Sequence, residues 1–315
     1  MNEFQVVLSA IIPIFGIALV GLVIRRINWL NEQADESLLR VNVNLLLPCL
    51  ILDASLGNTA FSRWQNLLWA PLIGYATVAL GIFLALSAAR LHRLTGETEK
   101  KTFALSVGLY NYGYIPLPLV LLLFDKHTVG VLFLHNVGVE TALWTLGVWL
   151  LKGGNVLRDW RHIINAPLLA IVAALALNSL GLQQRVPEVL RTAIHWLGAC
   201  AVPMALILIG AIVADYLPQF HVRSGGRVIG TAILLRLGVL PLAALLILTA
   251  VPLSSELKRV MVVEAAMPSA VFPILMARYY GGDPPTALRV VIGTSIAGLV
   301  TIPFWLRVGT KMAGL

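Results

Sequence analysis

Apolar residues in this chain run together for about 20 positions at a time, and short polar stretches separate the runs. A run of that length crosses the hydrocarbon core of a bilayer as a helix. Ten are expected, near residues 4–24, 38–56, 67–90, 102–124, 128–151, 163–181, 192–214, 226–250, 257–280 and 285–307. The second and seventh are the weakest, since each carries a central proline, Pro48 and Pro203. The longest polar stretch is only about ten to fifteen residues, so no soluble domain fits between the runs.

Two runs are interrupted. The fourth contains Tyr110-Asn111-Tyr112-Gly113-Tyr114-Ile115-Pro116-Leu117-Pro118, and the ninth contains Met267-Pro268-Ser269-Ala270-Val271-Phe272-Pro273. Proline inside a helix removes a donor and clashes with the carbonyl four residues back. Backbone groups freed in lipid persist only where protein or a polar cavity satisfies them. Broken segments at matching places in two halves point to a transporter's substrate site.

The halves do match. Shifting residues 1–152 by about 157 places Asn111 on Pro268, Pro116 on Pro273 and Lys101 on Lys258, with Pro48 near Pro203. Chance spacing in a Leu/Ala-rich chain is the plain alternative. Five spans per half is odd, so a second copy enters the membrane in the opposite sense, as an inverted repeat. The expected organisation is a first five-helix repeat over 1–152, a cytoplasmic linker over 153–165 turning at Gly153-Gly154-Asn155, and a second repeat over 166–315.

Composition agrees with an all-α membrane protein: 58% hydrophobic and 12% charged, with a mean hydropathy of +0.86. A soluble domain has about 45–50% apolar and about 25% charged residues. Met1-Asn2-Glu3-Phe4 lacks the positive start of a secretory signal, so the first run reads as a retained helix. Cys49 and Cys200 lie within apolar runs and imply neither a disulfide nor a metal framework. The net charge of +8 sorts by loop. With the N-terminus outside, inner segments hold fourteen Lys and Arg and outer segments eight, with Arg236 mid-span. The bias is weaker in the second half. It favours a multi-pass protein of a bacterial inner membrane with both termini outside, and partners that are lipids rather than nucleic acid. HExxH, P-loop, CxxC and GxGxxG motifs are absent, and no nucleophile–base grouping suggests an enzyme.

Half-helix N-termini at the breaks would attract an anion without a buried lysine. Asn111 both donates and accepts there, Ser269 follows the second break, and Tyr110, Tyr112 and Tyr114 add amphipathic rings. Plain kinks with Asn111 capping a carbonyl are the alternative. Asn136, Glu140 and Trp144 share one face of the fifth span. A mid-membrane carboxylate is a functional hypothesis by default, so Glu140 is a candidate for proton coupling, cation holding or orienting Asn136. Its alternative is an ion pair with Arg236. Glu264, one turn before Pro268, is a candidate gate or cation ligand, itself open to pairing with Arg236. Arg236 reads as a buried counter-charge and His135 as a packing residue. No metal or cofactor is expected, with proton or sodium coupling left open.

These segments resemble the auxin efflux carrier family, which includes plant PIN proteins and bacterial carriers for malonate or malate. The resemblance covers most of the chain. It is strongest in Asn44-Leu-Leu-Leu-Pro48-Cys-Leu-Ile-Leu52, in Asn111 to Pro118, and in Glu264-Ala-Ala-Met-Pro268-Ser-Ala-Val-Phe-Pro273-Ile-Leu-Met-Ala-Arg278-Tyr-Tyr-Gly. It implies ten helices in two inverted repeats, a scaffold of spans 1, 2, 6 and 7, and a transport domain with crossed helices 4 and 9 moving as an elevator. Asn111, Pro116 and Pro268 match the family's crossover positions, and Asn136 matches more loosely. The expected cargo is a small organic carboxylate anion held by Asn111, Tyr112, Pro116, Asn136, Glu140, Pro268 and Ser269, in a homodimer formed through the scaffold. Plant members carry charges in the third span, whereas Pro71 to Ala89 has none, which argues against auxin. A sodium-coupled carrier of the bile acid symporter type shares the crossed-helix plan. Pro268 and Ser269 stand where its sodium ligands would be.

Overall fold

The computed structural model describes residues 3–91, 96–153, 164–219 and 225–315. The described chain is helical: α1 Glu3–Arg26, α2 Glu32–Ser55, α3 Trp64–Leu91, α4 Glu97–Gly108, α5 Pro116–Leu123 and α6 Lys126–Lys152. After these come α7 Ala166–Ser179, α8 Glu188–Tyr216, α9 Gly226–Ala250, α10 Ser255–Ala265, α11 Phe272–Tyr279 and α12 Pro284–Ala313. Among the described residues, α2, α3, α6, α8, α9 and α12 are long and apolar enough to cross a membrane.

Local sequence sets the starts. Asn31, Asp125, Asn165, Ser254 and Asp283 each accept a backbone N–H in the first turn of α2, α6, α7, α10 and α12. Two helices therefore begin earlier than their apolar runs. α2 opens with Glu32–Val41, a stretch with no buried residue, and α4 opens with the polar turn Glu97–Lys100. Hydropathy alone places both starts about five residues too late. Gly153 closes α6 at a φ of +60° and Asn165 opens α7. The expected turn at Gly154-Asn155 falls outside the described residues.

Three helices carry a π turn: Asn42–Leu46 in α2, Leu143–Gly147 in α6 and Leu235–Val239 in α9. Such turns recur at functional sites because they re-aim side chains. Here they hold Asn42, Trp144 and Arg236.

The helices pack in two groups. α1, α2, α7 and α8 contact one another, α3 packs along α6, and α3–α6 contact α9–α12 chiefly through α10 with α6 and α4 with α12. The groups meet where α2 faces α6 and where α1 faces α5 and α12. α3 and α6 lie close because a Cβ at Gly138 would fall on the Pro71 carbonyl oxygen, and one at Gly74 on that of His135. Large apolar side chains such as Leu19, Leu72, Phe83, Trp196 and Phe304 lie exposed on the outer faces, as a lipid-facing surface requires.

Candidate functional site

Between the two groups lies a cavity of about 410 Å³. One wall comes from α2, α7 and α8, and the other from α6 and two non-helical stretches, 109–115 and 266–271. These stretches are the expected breaks. They run antiparallel and pair at Tyr110 and Ser269. The Asn111 amide donates to the Pro268 carbonyl at 2.8 Å, and the Ala270 amide donates to the Leu109 carbonyl at 2.9 Å. The backbone groups that the breaks release thus satisfy one another at the crossing. Pro116 and Pro273 stand in the first turns of α5 and α11, where a missing N–H costs nothing.

Other amides at the crossing are unsatisfied. Those of Tyr112, Gly113, Tyr114 and Val271 make no hydrogen bond among the described residues, and all four residues line the cavity. The Asn111 carbonyl oxygen Oδ1 accepts the Ile115 amide at 3.2 Å, which leaves Nδ2 for the cavity. Asn136 Nδ2 donates to the Tyr112 carbonyl at 2.7 Å and ties the crossing to α6. One turn on, Glu140 Oε2 accepts from Asn165 Nδ2 at 2.7 Å, while Asn165 Oδ1 caps α7. That bond joins the two helix groups. Among the described residues, no lysine or arginine lines the cavity. Several amide donors beside a largely apolar space suit a carboxylate.

Comparison with known proteins agrees with this geometry. The family described as membrane transport protein, to which auxin efflux carriers belong, matches residues 6–159 and again 155–306. The chain belongs to that family. An uncharacterized transporter of Methanothermobacter thermautotrophicus is 26% identical over 310 residues, covering 97% of this chain and 98% of the relative. Another, from Methanocaldococcus jannaschii, is 20% identical over 306 residues, covering 95% and 97%. The chain is thus a multi-pass membrane protein of a transport family, and these likenesses point to transport rather than enzymatic turnover.

In this family member the expected site residues divide. Asn111, Tyr112, Asn136 and Glu140 line the large cavity, whereas Pro116, Pro268 and Ser269 do not. Ser269 is buried, and its amide donates to Thr294 Oγ1 at 3.2 Å, so it builds the crossing from behind. Glu264 and Arg236 lie apart from Glu140, in a second cavity of about 20 Å³ bordered also by Thr77, Tyr110 and His135. Arg236 Nη2 donates to the Ala265 carbonyl at 3.3 Å, and its guanidinium carbon stands 5.0 Å from the Tyr110 ring centre. Neither oxygen of Glu264 has a hydrogen-bond partner. The pairing of Glu140 with Arg236 that sequence allowed does not form. The reason is that Arg236 sits on the far side of the crossing from the large cavity, while Asn165 takes the carboxylate.

Asn165 and Thr294 escaped the sequence reading. The first was findable, because Asn-Ala-Pro is a helix-start signal. A threonine in an apolar run, such as Thr294, gives no sign that it will meet Ser269.

Proposed function

We propose that this protein is a secondary carrier of small organic carboxylate anions, which it holds at the crossing of its fourth and ninth membrane segments. In this reading the chain crosses the bilayer ten times as two inverted five-helix repeats, with α4/α5 and α10/α11 each counting as one broken span. The group α1, α2, α7 and α8 is the scaffold and the site of a homodimer contact. The other group is the transport domain, moving as an elevator in a bacterial inner membrane with both chain termini outside. The observation that carries the reading is the set of unbonded amides at Tyr112–Tyr114 and Val271 facing a cavity between the two groups. Backbone donors and half-helix dipoles seat an anion without a lysine. Asn111 and Asn136 orient it, and Glu140 or Glu264 couples the step to protons.

A screen of small carboxylates by thermal unfolding tests this. A cargo that binds the folded state raises its stability by mass action. Some carboxylate should stabilise the native protein and lose that effect in folded Asn111→Ala. Equal stabilisation of both would refute the assignment of Asn111.

The second reading, sodium coupling, draws on Glu264, whose carboxylate lies buried without a hydrogen bond one turn before the break. Arg236 borders the same small cavity and supplies a built-in cation there, which favours the first reading. Uptake into proteoliposomes that stops when sodium is replaced by potassium would favour the second.

A further inference from the structure

Glu140 is out of place in a seat meant only for anions. It lines the 410 Å³ cavity, and among the described residues its one partner is the neutral Asn165 amide. Among the described residues, no lysine or arginine lines that cavity. The two most deeply buried arginines are engaged elsewhere, Arg25 with Asp35 and Asp215, and Arg236 behind the crossing. A purely anionic cargo would therefore bring a second negative charge into a largely apolar space with no cation among the described lining residues to offset either one. Burying unpaired charge is costly, and a low dielectric strengthens the repulsion.

We infer that the cargo is a zwitterion, its carboxylate seated on the crossing amides and its ammonium group received by Glu140. The inference rests on the carrier reading, keeps its carboxylate seat, and replaces the simple anion by a carboxylate that also bears an ammonium group, as in compact apolar amino acids. The geometry supports two poles at short range. Asn136 anchors the Tyr112 carbonyl at 2.7 Å, which fixes the anion seat beside Asn136. Glu140 follows one helical turn later on the same face, a spacing of about 6 Å. Aromatic rings complete the ammonium end. Tyr112, Trp144 and Phe272 line the cavity, and the last two meet edge to face with centres 5.9 Å apart. Ring faces attract alkylammonium groups in desolvated sites. The remaining wall, from α2, α7 and α8, is aliphatic and suits an apolar side chain.

The test uses the full-length protein in detergent and two series of probes that differ by one group. The first is L-phenylalanine, 3-phenylpropionate and 2-phenylethylamine; the second is L-leucine, 4-methylpentanoate and isoamylamine. Titration calorimetry at neutral pH should show an amino acid binding about tenfold or more tightly than its des-amino acid, as expected for one charge-assisted hydrogen bond in a dry site. Glu140→Gln should shrink that preference to about twofold or less. The inference is overturned if the des-amino acids bind as well as the amino acids, if the preference survives in Glu140→Gln, or if neither series binds. The native-protein comparison decides alone should the variant fail to fold. Uptake by proteoliposomes separates the two claims. Uptake of 3-phenylpropionate but not phenylalanine sinks the zwitterion and keeps the carrier. Selective amino-acid binding with no uptake of any probe keeps the recognition and sinks the carrier.

Discussion

Replacing Arg236 by methionine removes a fixed positive charge from behind the crossing while keeping most of the side-chain volume. The residue sits in the π turn of α9 with 3% of its surface exposed, and Glu264 on α10 is equally buried. Three things are lost together: the cation sharing a small cavity with Glu264, the bond to the Ala265 carbonyl, and the contact with the Tyr110 ring. A charged hydrogen bond contributes about 1.5–3 kcal/mol, and no hydrogen bond joins the guanidinium to Glu264, so their attraction acts only through the shared cavity. Arg236→Met should therefore destabilise by about 2–3 kcal/mol. Glu264→Gln should cost less, about 1–2 kcal/mol, because the guanidinium keeps its carbonyl and its ring. If part of the first loss is the stranded Glu264 carboxyl, the double variant should be about 1 kcal/mol more stable than the summed losses indicate. Equilibrium unfolding in mixed SDS micelles, followed by circular dichroism, measures all four proteins. Additivity within about 0.5 kcal/mol would show that the two groups do not sense each other. Arg236 would then not stand in for a coupling cation.

Three further outcomes follow from contacts elsewhere. Gly138→Ala drives a methyl group into the Pro71 carbonyl and should cost about 1–3 kcal/mol or more, whereas Gly113→Ala meets nothing within 4 Å; thermal unfolding compares them. Asn165→Ala removes both the α7 cap and the donor on Glu140, so its loss should reach about 2–3 kcal/mol and exceed that of an ordinary cap; the same unfolding measurement checks it. Burial alone would raise the Asp125 carboxyl, but the Thr128 amide and hydroxyl, together with Arg259, outweigh it and hold the group below the ordinary aspartate range. A depressed carboxyl adds stability above its unfolded value, about 3.9, and loses it as pH falls through the folded value. An acid titration of thermal stability should thus show a small loss below about pH 4 that Asp125→Asn lacks.

Both crossing stretches were legible in the sequence because Asn111–Pro118 and Met267–Pro273 break the only pattern an apolar run can keep. Asn136 and Glu140 were legible for a related reason: polar groups four residues apart share a face, and that face must open on something polar. What hydropathy could not carry was partnership across the fold. Arg236 and Glu140 lie at similar apparent depth along their helices, yet the crossing separates them, and only the three-dimensional path of α9 behind Tyr110 decides which carboxylate Arg236 meets. Pro116 and Pro268 marked the breaks correctly but line nothing, since their role is to shape the backbone. The early starts of α2 and α4 were hidden because Glu32–Val41 and Glu97–Lys100 are polar helix, which an apolar count passes over.

A carrier of the proposed kind must expose the crossing to each side of the membrane in turn. Val271 lines the cavity at the second break, and a cysteine there is close to the native side chain in size. With Cys49 and Cys200 replaced by serine, Val271→Cys in oriented vesicles can be titrated with a membrane-impermeant maleimide added to one side or the other. The account expects labelling from both sides, with cargo shifting the ratio of the two rates. Labelling from a single side under every condition would contradict it.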